Sequence, residues 1–395
     1  MIAIIGAGPA GLMAAEAAAS QGCSVTIFDQ MPRPGRKFLL AGRGGLNLTH
    51  AEPLDAFLGR YREGAERIEP LIRAFPPEAL RAWADALGAE TFVGTSGRAF
   101  PKAMKASPLL RAWLQRLGGL GVRFQGGARW TGFADGGVMI VQHGAEQAAP
   151  AEAVVLALGG ASWPELGSDG AWVAPLVGLG TAIAPLEASN AGVLIDWPPP
   201  VADLAGAPFK TIGLSVAGEC FLGEAILTAQ GLEGGVVYAA GAALRRALRA
   251  NSGVKIRLDL QPNRTAAAMA DKLAARDSKR SLGPWLQKVL GLSSPAARLV
   301  STMAPSRDPQ TLAALLKAFP LTVRGFASLG RAISTAGGLV WDEVDETLML
   351  RRRPGVFVAG EMLDWDAPTG GYLLQACFAT GRSAGLSAAR WAQSA

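Results

Sequence analysis

The stretch MIAIIGAGPAGLMAAEAAASQGCSVTIFDQ, residues 1–30, decides the fold of this chain. An apolar strand runs into the glycine turn Gly6-Ala-Gly8-Pro-Ala-Gly11, an alanine-rich helix follows, and a second apolar strand ends at Asp29. In this context the first glycine permits a sharp turn, the second lets a pyrophosphate approach the backbone, and the third allows the helix to pack closely on the strand. The stretch therefore predicts a βαβ unit that holds a dinucleotide at the N-terminus of its helix.

The acid at the end of the second strand supports this interpretation. Asp29 follows the glycine turn by about twenty residues, where a carboxylate can accept both hydroxyls of a ribose and disfavours a 2′-phosphate. A glycine turn in some other α/β protein is the alternative. It does not account for the strand, the helix and the acid together.

Composition bounds the class of protein. The chain has 395 residues, of which 50% are apolar and 18% are charged, so it is long enough for two or three domains and too apolar to be disordered. Its net charge of +6 suits an anionic partner such as a cofactor, a substrate or nucleic acid. Because the basic residues are scattered, a solvated surface excess explains the charge better.

Cysteine usage and the chain start indicate the compartment. The three cysteines, Cys23, Cys220 and Cys377, are far apart in the sequence, so they predict neither a dithiol redox centre nor a zinc site. The first strand begins at once and leaves no room for a signal peptide. The long uncharged stretch 171–186 contains prolines and glycines and is too short to span a membrane. We expect a soluble, cytoplasmic protein without a metal or a membrane partner.

The remaining patterns extend the parallel sheet and add a meander. The apolar run from Ala153 to Leu158 ends in Gly159-Gly160 and is typical of a buried strand that returns to the parallel sheet. The segment Val122–Gln142 has a period of two and predicts a β-meander, with Asp135-Gly136-Gly137 as its hairpin turn. The segment Thr95–Lys102 reads as a loop that could face a ligand.

An insert interrupts this domain. Composition shifts near Ser189, and a triple proline at 198–200 marks a boundary. Beyond it, Val254–Leu260 alternates as a half-buried antiparallel strand, and residues from 263 onward have helical periodicity. We therefore predict an α/β fold in which a Rossmann-like domain, residues 1–189 and 326–395, is interrupted by a β-rich insert at 190–262 and a helical subdomain at 263–325.

The end of the chain returns to ligand chemistry. A buried strand at 353–359 is followed by Gly360-Glu361 and then by Gly370-Gly371-Tyr372, which opens a last helix. That helix carries Gly381 and Gly385 on the side expected to pack closely. These features predict a two-part ligand whose one end lies on the first helix and whose distal ring lies on the last.

These motifs together resemble a known family. Gly35-Arg36-Lys37, the loop 42–47 (Gly-Arg-Gly-Gly-Leu-Asn), Ala336-Gly337-Gly338, Gly360-Glu361-x-Leu363-Asp364 and Gly370-Gly371-Tyr372-x-Leu374-Gln375 are similar to the BaiN/RdsA-like FAD-dependent oxidoreductases in the same order over nearly the whole chain. The resemblance implies an FAD-binding domain interrupted by a β-barrel-like and a helical insert. It also implies flavin-mediated reduction of carbon–carbon double bonds, in steroid-like unsaturated ketones or in a ribosomal RNA uridine that becomes dihydrouridine.

The chain departs from the family pattern at two positions near the expected flavin ring. Leu46 stands where many members carry a cysteine, so a thiol that could protonate the substrate is missing. Leu373 stands where many carry an asparagine. These differences indicate a divergent branch, and the resemblance assigns no particular substrate.

The motifs and the resemblance together predict the FAD contacts. The pyrophosphate is expected at the first helix, the ribose at Asp29, and the ribityl chain and ring along the loop 36–47. The N-terminus of the last helix would stabilise negative charge at the N1–C2=O edge of reduced flavin. Glu361 or Asp364 would bind ribityl hydroxyls, the alternative being a surface carboxylate. The expected contact residues are Gly6, Gly8, Pro9, Ala10, Gly11, Asp29, Gln30, Arg36, Lys37, Gly44, Gly45, Leu46, Asn47, Ala128, Ala157, Gly159, Gly360, Glu361, Asp364, Gly370, Gly371, Tyr372 and Leu373.

Acid–base residues are not determined by the sequence. Lys37, His50 and Tyr372 are the catalytic candidates, and nothing in the pattern discriminates between them. The other histidine, His143, is interpreted as a solvated strand end. Cys220 and Cys377 are interpreted as small buried apolar residues.

Three functions are consistent with these observations. The first is an FAD-dependent reductase of an unsaturated small molecule, with NAD(P)H as a transient electron donor. The second is a uridine reductase acting on ribosomal RNA, which the basic charge favours and the missing thiol disfavours. The third is a flavin-binding regulatory protein without turnover. A second dinucleotide fingerprint is missing from the sequence, and the oligomeric state stays open.

Overall fold

The computed structural model describes residues 1–42, 44–62, 64–275 and 281–394. Arg43 of the predicted cofactor loop and residues 276–280 of the predicted helical subdomain therefore lie outside the described residues. The chain divides into unit 1, formed by Met1–Glu187 and Ser334–Ala395, and unit 2, formed by Ala188–Ile333. The separation of a β-rich insert from a helical subdomain stays a prediction.

The strands, in chain order, are β1 (Ile2–Ile5), β2 (Val25–Asp29), β3 (Thr49–His50), β4 (Thr91–Val93), β5 (Arg98–Pro101), β6 (Arg123–Gly126), β7 (Ala128–Ala134), β8 (Gly137–Gln142), β9 (Ala145–Pro150), β10 (Ala153–Leu156), β11 (Ile183–Ser189), β12 (Val193–Leu194), β13 (Pro208–Val216), β14 (Glu219–Thr228), β15 (Gly231–Glu233), β16 (Val254–Asp259), β17 (Phe319–Val323), β18 (Gly325–Phe326), β19 (Ser334–Leu339) and β20 (Val356–Val358). The α-helices are α1 (Pro9–Ala19), α2 (Arg36–Ala41), α3 (Leu54–Leu58), α4 (Ala65–Ala74), α5 (Pro77–Asp85), α6 (Ala106–Gly119), α7 (Val173–Gly178), α8 (Pro199–Ala202), α9 (Gly235–Ala239), α10 (Gly241–Ala250), α11 (Ala266–Ala274), α12 (Leu282–Leu290), α13 (Ser294–Met303), α14 (Pro309–Lys317) and α15 (Tyr372–Ser394).

A five-stranded parallel sheet forms the centre of unit 1. Its strand order is β20-β10-β1-β2-β6, and every neighbouring pair is parallel. Every residue of β1, β10 and β20 is buried, as continuous apolar sequence demands when both faces of a sheet are covered. The predicted Rossmann-like α/β class is confirmed.

The predicted meander is partly wrong. Arg123–Gly126 was expected to belong to it, but this segment pairs with β2 as the edge strand of the parallel sheet. The meander is instead β7-β8-β9, joined at its first hairpin by Asp135-Gly136, with Gly136 at a φ of +68°. An edge strand is half solvated and alternates like an antiparallel strand, which is why the sequence pattern did not separate the two.

The first and last helices of unit 1 pack backbone to backbone. A methyl group on Gly381 would lie 2.2 Å from the carbonyl oxygen of Ala10, and one on Gly385 would lie 2.3 Å from that of Ala14. The predicted close-packing side of α15 is thereby confirmed, and it contacts the beginning of α1.

The predicted loop at 95–102 is partly wrong, since its first residues, 95–97, form a turn and most of the rest form a strand. Arg98–Pro101 forms β5, the central strand of the three-stranded sheet β3-β5-β4. Ala99 faces the core and is buried, whereas Phe100 lies beside Phe92 with ring centroids 5.9 Å apart. Local glycine content suggested a loop here, but pairing with two distant strands gives the segment its structure.

Unit 2 has a core of its own. Its seven-stranded sheet has the order β17-β16-β13-β14-β15-β12-β18 and is antiparallel throughout. Val254, Ile256 and Leu258 of β16 are buried, which confirms the predicted alternation. Asp308 caps α14 by accepting a hydrogen bond from the N–H of Thr311 at 2.8 Å. Across the described ranges, no helix is both long and apolar enough to cross a lipid bilayer.

Candidate functional site

The glycine turn after β1 leaves space at one of its three glycines. Gly6 has a φ of +103°, and a methyl group there would lie 2.3 Å from the carbonyl oxygen of Ala157. A methyl group on Gly11 would lie 1.9 Å from the carbonyl oxygen of Gly6, whereas one on Gly8 would meet no atom within 4 Å. Gly6 and Gly11 are thus required by packing, and Gly8 borders open space where a ligand can approach the backbone.

The start of α1 offers donors beside that space. Gly8 is the N-cap and makes no side-chain capping bond, and Pro9 is the first helical residue. The first intrahelical bond runs from the N–H of Leu12 to the carbonyl of Gly8, so the N–H groups of Ala10 and Gly11 precede it. Such N–H groups and the positive end of the helix dipole suit a pyrophosphate.

Asp29 fixes the glycine turn from the end of β2. Its carboxylate accepts hydrogen bonds from the N–H of Ala7 at 2.5 Å and from the N–H of Met31 at 2.7 Å. Burial raises the pKa of Asp29, and the two backbone hydrogen bonds oppose that rise. Each carboxylate oxygen has a further lone pair. The contact with ribose stays a prediction.

A mostly apolar cavity is lined by the two chain neighbours of Asp29, Phe28 and Gln30. Trp172 in its wall donates from Nε1 to the carbonyl of Gly159 at 2.8 Å, and Gln30 donates to the carbonyl of Gly167 at 3.0 Å. The flat indole rings of Trp130 and Trp172 in its walls suit the stacking of an adenine ring. The cavity is lined by Ile5, Phe28, Gln30, Ala128, Arg129, Trp130, Leu158, Asp169, Ala171 and Trp172.

Lys37 and Glu361, two predicted contact residues, form an ion pair. Lys37 Nζ lies 2.8 Å from Glu361 Oε2 and 2.7 Å from Ser162 Oγ. Glu361 also accepts from the N–H of Thr335 at 2.9 Å and from the N–H of Gly160 at 3.3 Å. Only 13% of its side chain is exposed, which excludes the surface-carboxylate alternative for Glu361. Its carboxylate joins the segment after β10, the start of β19 and the segment after β20.

Sequence reasoning missed Ser162 and Thr335. Ser162 is fully buried, and Thr335 Oγ1 accepts from the N–H of Ala161 at 2.9 Å. Ser162 follows the glycine pair after β10, and Thr335 precedes the glycine pair within β19, which was the available signal. The other acid, Asp364, contributes its backbone: its N–H donates to Leu339 and its carbonyl accepts from Trp341 Nε1.

The loop after α2 is anchored at alternate residues. The N–H of Leu46 donates to the carbonyl of Met104 at 3.0 Å, and that of Leu48 donates to the carbonyl of Ala99 at 2.9 Å. Gly44 is exposed, and a methyl group there would meet no atom within 4 Å. Leu46 is fully buried, so the residue that replaces the family's cysteine packs in the core.

Partnerless buried polar atoms test whether FAD fits these residues. Within the described residues of unit 1, Asn47 Oδ1, Trp130 Nε1 and Ser168 Oγ are buried and have no hydrogen-bond partner. Asn47 is in the loop after α2, Trp130 lines the mostly apolar cavity, and Ser168 Oγ lies 3.1 Å from a methyl group placed on Gly159. Buried polar groups normally have partners. These three lie along the expected path of FAD, and a fourth such atom, Thr181 Oγ1, lies elsewhere.

The start of α15 is packed against β3. Gly370 and Gly371 have φ values of +128° and +97°, and a methyl group on Gly371 would lie 2.5 Å from the Cα of Thr49. Tyr372 follows, and its hydroxyl donates to Glu52 Oε1 at 2.5 Å. Gly360, which follows β20, contacts the start of α1, since a methyl group on Gly360 would lie 2.8 Å from the Cβ of Ala10.

Two of the catalytic candidates lie together. The ring of His50 stacks on that of Tyr372, with centroids 5.6 Å apart. Nε2 of His50 lies 3.0 Å from the carbonyl oxygen of Ser96, and Nδ1 accepts from the N–H of Glu52 at 3.2 Å. Both ring nitrogens thus contact the main chain, and a catalytic role for His50 stays a prediction.

Tyr372 is held in its protonated form. Burial, followed by the hydrogen bond to Glu52, raises the pKa of Tyr372. The hydrogen bond from Arg60, at 2.6 Å, lowers the pKa of Glu52. The phenol is therefore a hydrogen-bond donor next to the N-terminus of α15.

The cysteines and the second histidine differ in their surroundings, and Cys377 lies near the site, with its Sγ 4.0 Å from a methyl group placed on Gly360. Cys220 is exposed, which corrects the expectation that it is buried, because it lies on the solvent face of β14. Cys377 is half-buried, and burial raises the pKa of its thiol to about 12. His143 lies in the exposed turn between β8 and β9, as predicted. In the part of the chain that the structure describes, no cluster of three or more His, Cys, Asp or Glu side chains is placed to hold a metal ion.

Comparisons with known proteins identify the family and the fold of this chain. The profile of the family described as HI0933-like protein, Rossmann domain, matches residues 1–387. The 3-dehydro-bile acid delta(4,6)-reductase of Clostridium scindens is 28% identical over 407 residues, covering 98% of this chain and 98% of that protein. An open conformation of a flavocytochrome c3 fumarate reductase superposes with a TM-score of 0.55 at 16% identity, covering 99% of this chain and 78% of that one. The 3-ketosteroid-delta4-(5alpha)-dehydrogenase of Rhodococcus jostii RHA1, in complex with 4-androstene-3,17-dione, gives a TM-score of 0.50 at 17% identity, with coverages of 98% and 96%. At these identities the two structures are evidence for the fold.

Proposed function

The chain belongs to the family of HI0933-like proteins and is an FAD-dependent oxidoreductase, and on that premise we propose that it reduces a carbon–carbon double bond of an unsaturated small molecule. The flavin would transfer a hydride to one carbon of that bond, and NAD(P)H in the cytoplasm would reduce the flavin again.

One observation carries this proposal. The relative named as a delta(4,6)-reductase aligns with the chain over 98% of both lengths, so no domain of that reductase lacks a counterpart here. The identity of the substrate is a separate matter. Leu46 is fully buried where the family resemblance leads one to expect a cysteine, so no thiol at this position is available to protonate a substrate.

Each part of the site has a proposed task. FAD, when bound, supplies the hydride chemistry. The N–H groups at the start of α1 would hold its pyrophosphate, and Asp29 would hold its ribose. The Lys37–Glu361 ion pair, 2.8 Å long, would keep the loops around the ribityl chain in register. Tyr372 would hold the N-terminus of α15 in position through its bond to Glu52.

Anaerobic single-turnover spectroscopy tests the proposal. The purified protein is expected to be yellow, to bleach with NADH or NADPH, and to recover its colour when a 3-oxo-4-ene steroid or a cyclic enone is added. The saturated ketone serves as the matched control and should leave the flavin reduced. Bleaching without reoxidation by any enone would contradict the assignment of a carbon–carbon double bond.

A ribosomal RNA uridine is the second candidate substrate, favoured by the net charge of +6. It predicts that a deletion strain loses dihydrouridine from its ribosomal RNA, measured by mass spectrometry of nucleosides. Unchanged dihydrouridine in that strain excludes this candidate.

A further inference from the structure

The side-chain oxygen of Asn47 has no hydrogen-bond partner among the described residues. This atom, Oδ1, is buried. A carboxamide oxygen has two lone pairs, and burial removes the water that would otherwise occupy them. An acceptor of this kind needs an explanation in a folded protein.

Mobility of the loop does not explain why this acceptor has no hydrogen bond. The two neighbours of Asn47, Leu46 and Leu48, are fully buried. Their N–H groups donate to the carbonyls of Met104 and Ala99 at 3.0 and 2.9 Å. The backbone on both sides of Asn47 is therefore fixed, in a loop that also contains the exposed Gly44 and the half-buried Gly45.

We propose that Asn47 Oδ1 accepts a hydrogen bond from a ring N–H of the flavin. The isoalloxazine ring has acceptors at O2, O4 and N1, which an amide oxygen cannot satisfy. Its donors are N3–H in both redox states and N5–H in the reduced state. The inference rests on the proposed placement of the ring along the loop 36–47, and it makes Asn47 a cofactor-orienting residue.

Substituting leucine for Asn47 separates this role from a structural one. Leucine is close in size and has no polar atom, so Asn47→Leu removes the partnerless acceptor. We expect the apoprotein to unfold at an equal or higher urea concentration than the wild-type apoprotein. The dissociation constant of FAD should rise about tenfold, because the holoprotein loses a hydrogen bond. A purely structural role would lower the apoprotein's stability as well.

Asn47→Asp tests which end of the carboxamide acts. A carboxylate is an acceptor only, so this variant should bind FAD within about threefold of the wild type if Oδ1 makes the contact. Its flavin reduction potential should become more negative, since a fixed anion opposes the negative charge of reduced flavin. An affinity as poor as that of the leucine variant would overturn the acceptor assignment. The matched control is Asn251→Leu, which replaces an exposed asparagine of unit 2. This variant should change neither the dissociation constant of FAD nor the flavin reduction potential.

Nuclear magnetic resonance with ¹⁵N-labelled FAD identifies the donor. If Asn47 binds N3–H, the N3 proton resonance shifts upfield in the leucine variant in both redox states. If it binds N5–H, only the reduced flavin changes. Unchanged N3 and N5 resonances in a leucine variant that binds FAD would refute the inference. These measurements need no substrate, so they are independent of the proposed reaction.

Discussion

Single residues of the glycine turn have separable tasks in this protein. The pattern assigned a turn, a ligand approach and a packing contact to Gly6, Gly8 and Gly11, and the structure shows what occupies the space at each. Only Gly8 borders open space, whereas the other two face carbonyl oxygens of the protein itself. Substitutions in this turn should therefore affect either folding or cofactor binding.

Alanine at Gly8 should mainly weaken FAD binding, whereas alanine at Gly11 should mainly destabilise the apoprotein. We expect Gly8→Ala to change the free energy of unfolding of the apoprotein by about 1 kcal/mol or less, and to weaken FAD binding at least about tenfold because the methyl group occupies pyrophosphate space. Gly11→Ala should destabilise the apoprotein by roughly 3 kcal/mol, since its methyl group collides with backbone. Urea unfolding of the apoproteins and FAD titration measure both effects. Equal losses of stability in the two variants would contradict this division.

Tyr372 should contribute to stability in a pH-dependent way. Its pKa is raised in the folded protein, so its contribution is fully present below the ordinary tyrosine pKa of about 10 and is lost as pH rises through the higher folded value. We expect Tyr372→Phe to be less stable than wild type at pH 8, and its stability to fall less steeply above pH 10. Urea unfolding between about pH 8 and pH 11 measures this. Parallel pH profiles for the two proteins would show that Tyr372 titrates normally.

At the scale of elements, α1 is held by a carboxylate as well as by glycines. Glu16 is 9% exposed. It accepts hydrogen bonds from Trp113 Nε1 at 2.6 Å, from Trp83 Nε1 at 3.1 Å and from Arg116 Nη1 at 3.1 Å. Trp83 belongs to α5 and the other two donors to α6. One acid in the middle of α1 thus fastens it to two neighbouring helices.

Removing that acid should destabilise the packing of three helices at once. Glu16→Ala leaves two indole N–H groups and a guanidinium without their acceptor, and we expect a loss of about 3 kcal/mol in the free energy of unfolding. Guanidinium unfolding followed by tryptophan fluorescence measures it. The control is Glu78→Ala, an exposed acid in the first turn of α5, expected to change stability by less than about 0.5 kcal/mol. A Glu16 variant as stable as this control would show that the carboxylate does not fasten α1.

Sequence patterns predicted the elements with strong local signals. The apolar runs of β1, β2 and β10 and the alanine-rich helix α1 were all found from the sequence. The edge strand β6 was misassigned and β5 was taken for a loop, because solvated strands and short paired strands acquire their structure from distant partners. Local propensity carries no information about such pairing.

At the scale of the whole molecule, the two ends of the chain were expected to share one ligand, and the structure brings them together. Ala10 contacts the glycines of the C-terminal segment at both Gly360 and Gly381. The ion pair of Lys37 with Glu361 could not be predicted, since 324 positions separate the two residues and neither motif specifies the partner of its charge. The sequence therefore predicted that motifs of known geometry come together, but it did not predict which partners single charged side chains would have.

The two units have separate hydrophobic cores, and FAD should stabilise them unequally. The core around β1 and α15 contains residues of unit 1 alone, and the core around β13 and β16 contains residues of unit 2 alone. All predicted FAD contacts belong to unit 1, so FAD raises the free energy of opening there by an amount that depends on its concentration relative to its dissociation constant. Hydrogen exchange with and without FAD should show added protection at residues 2–19, 36–50 and 356–380. Amides of β13 and β16 should exchange at the same rate in both states, because their core has its own unfolding reaction. Equal added protection in both cores would mean that the units unfold together, and protection confined to unit 2 would place the cofactor elsewhere.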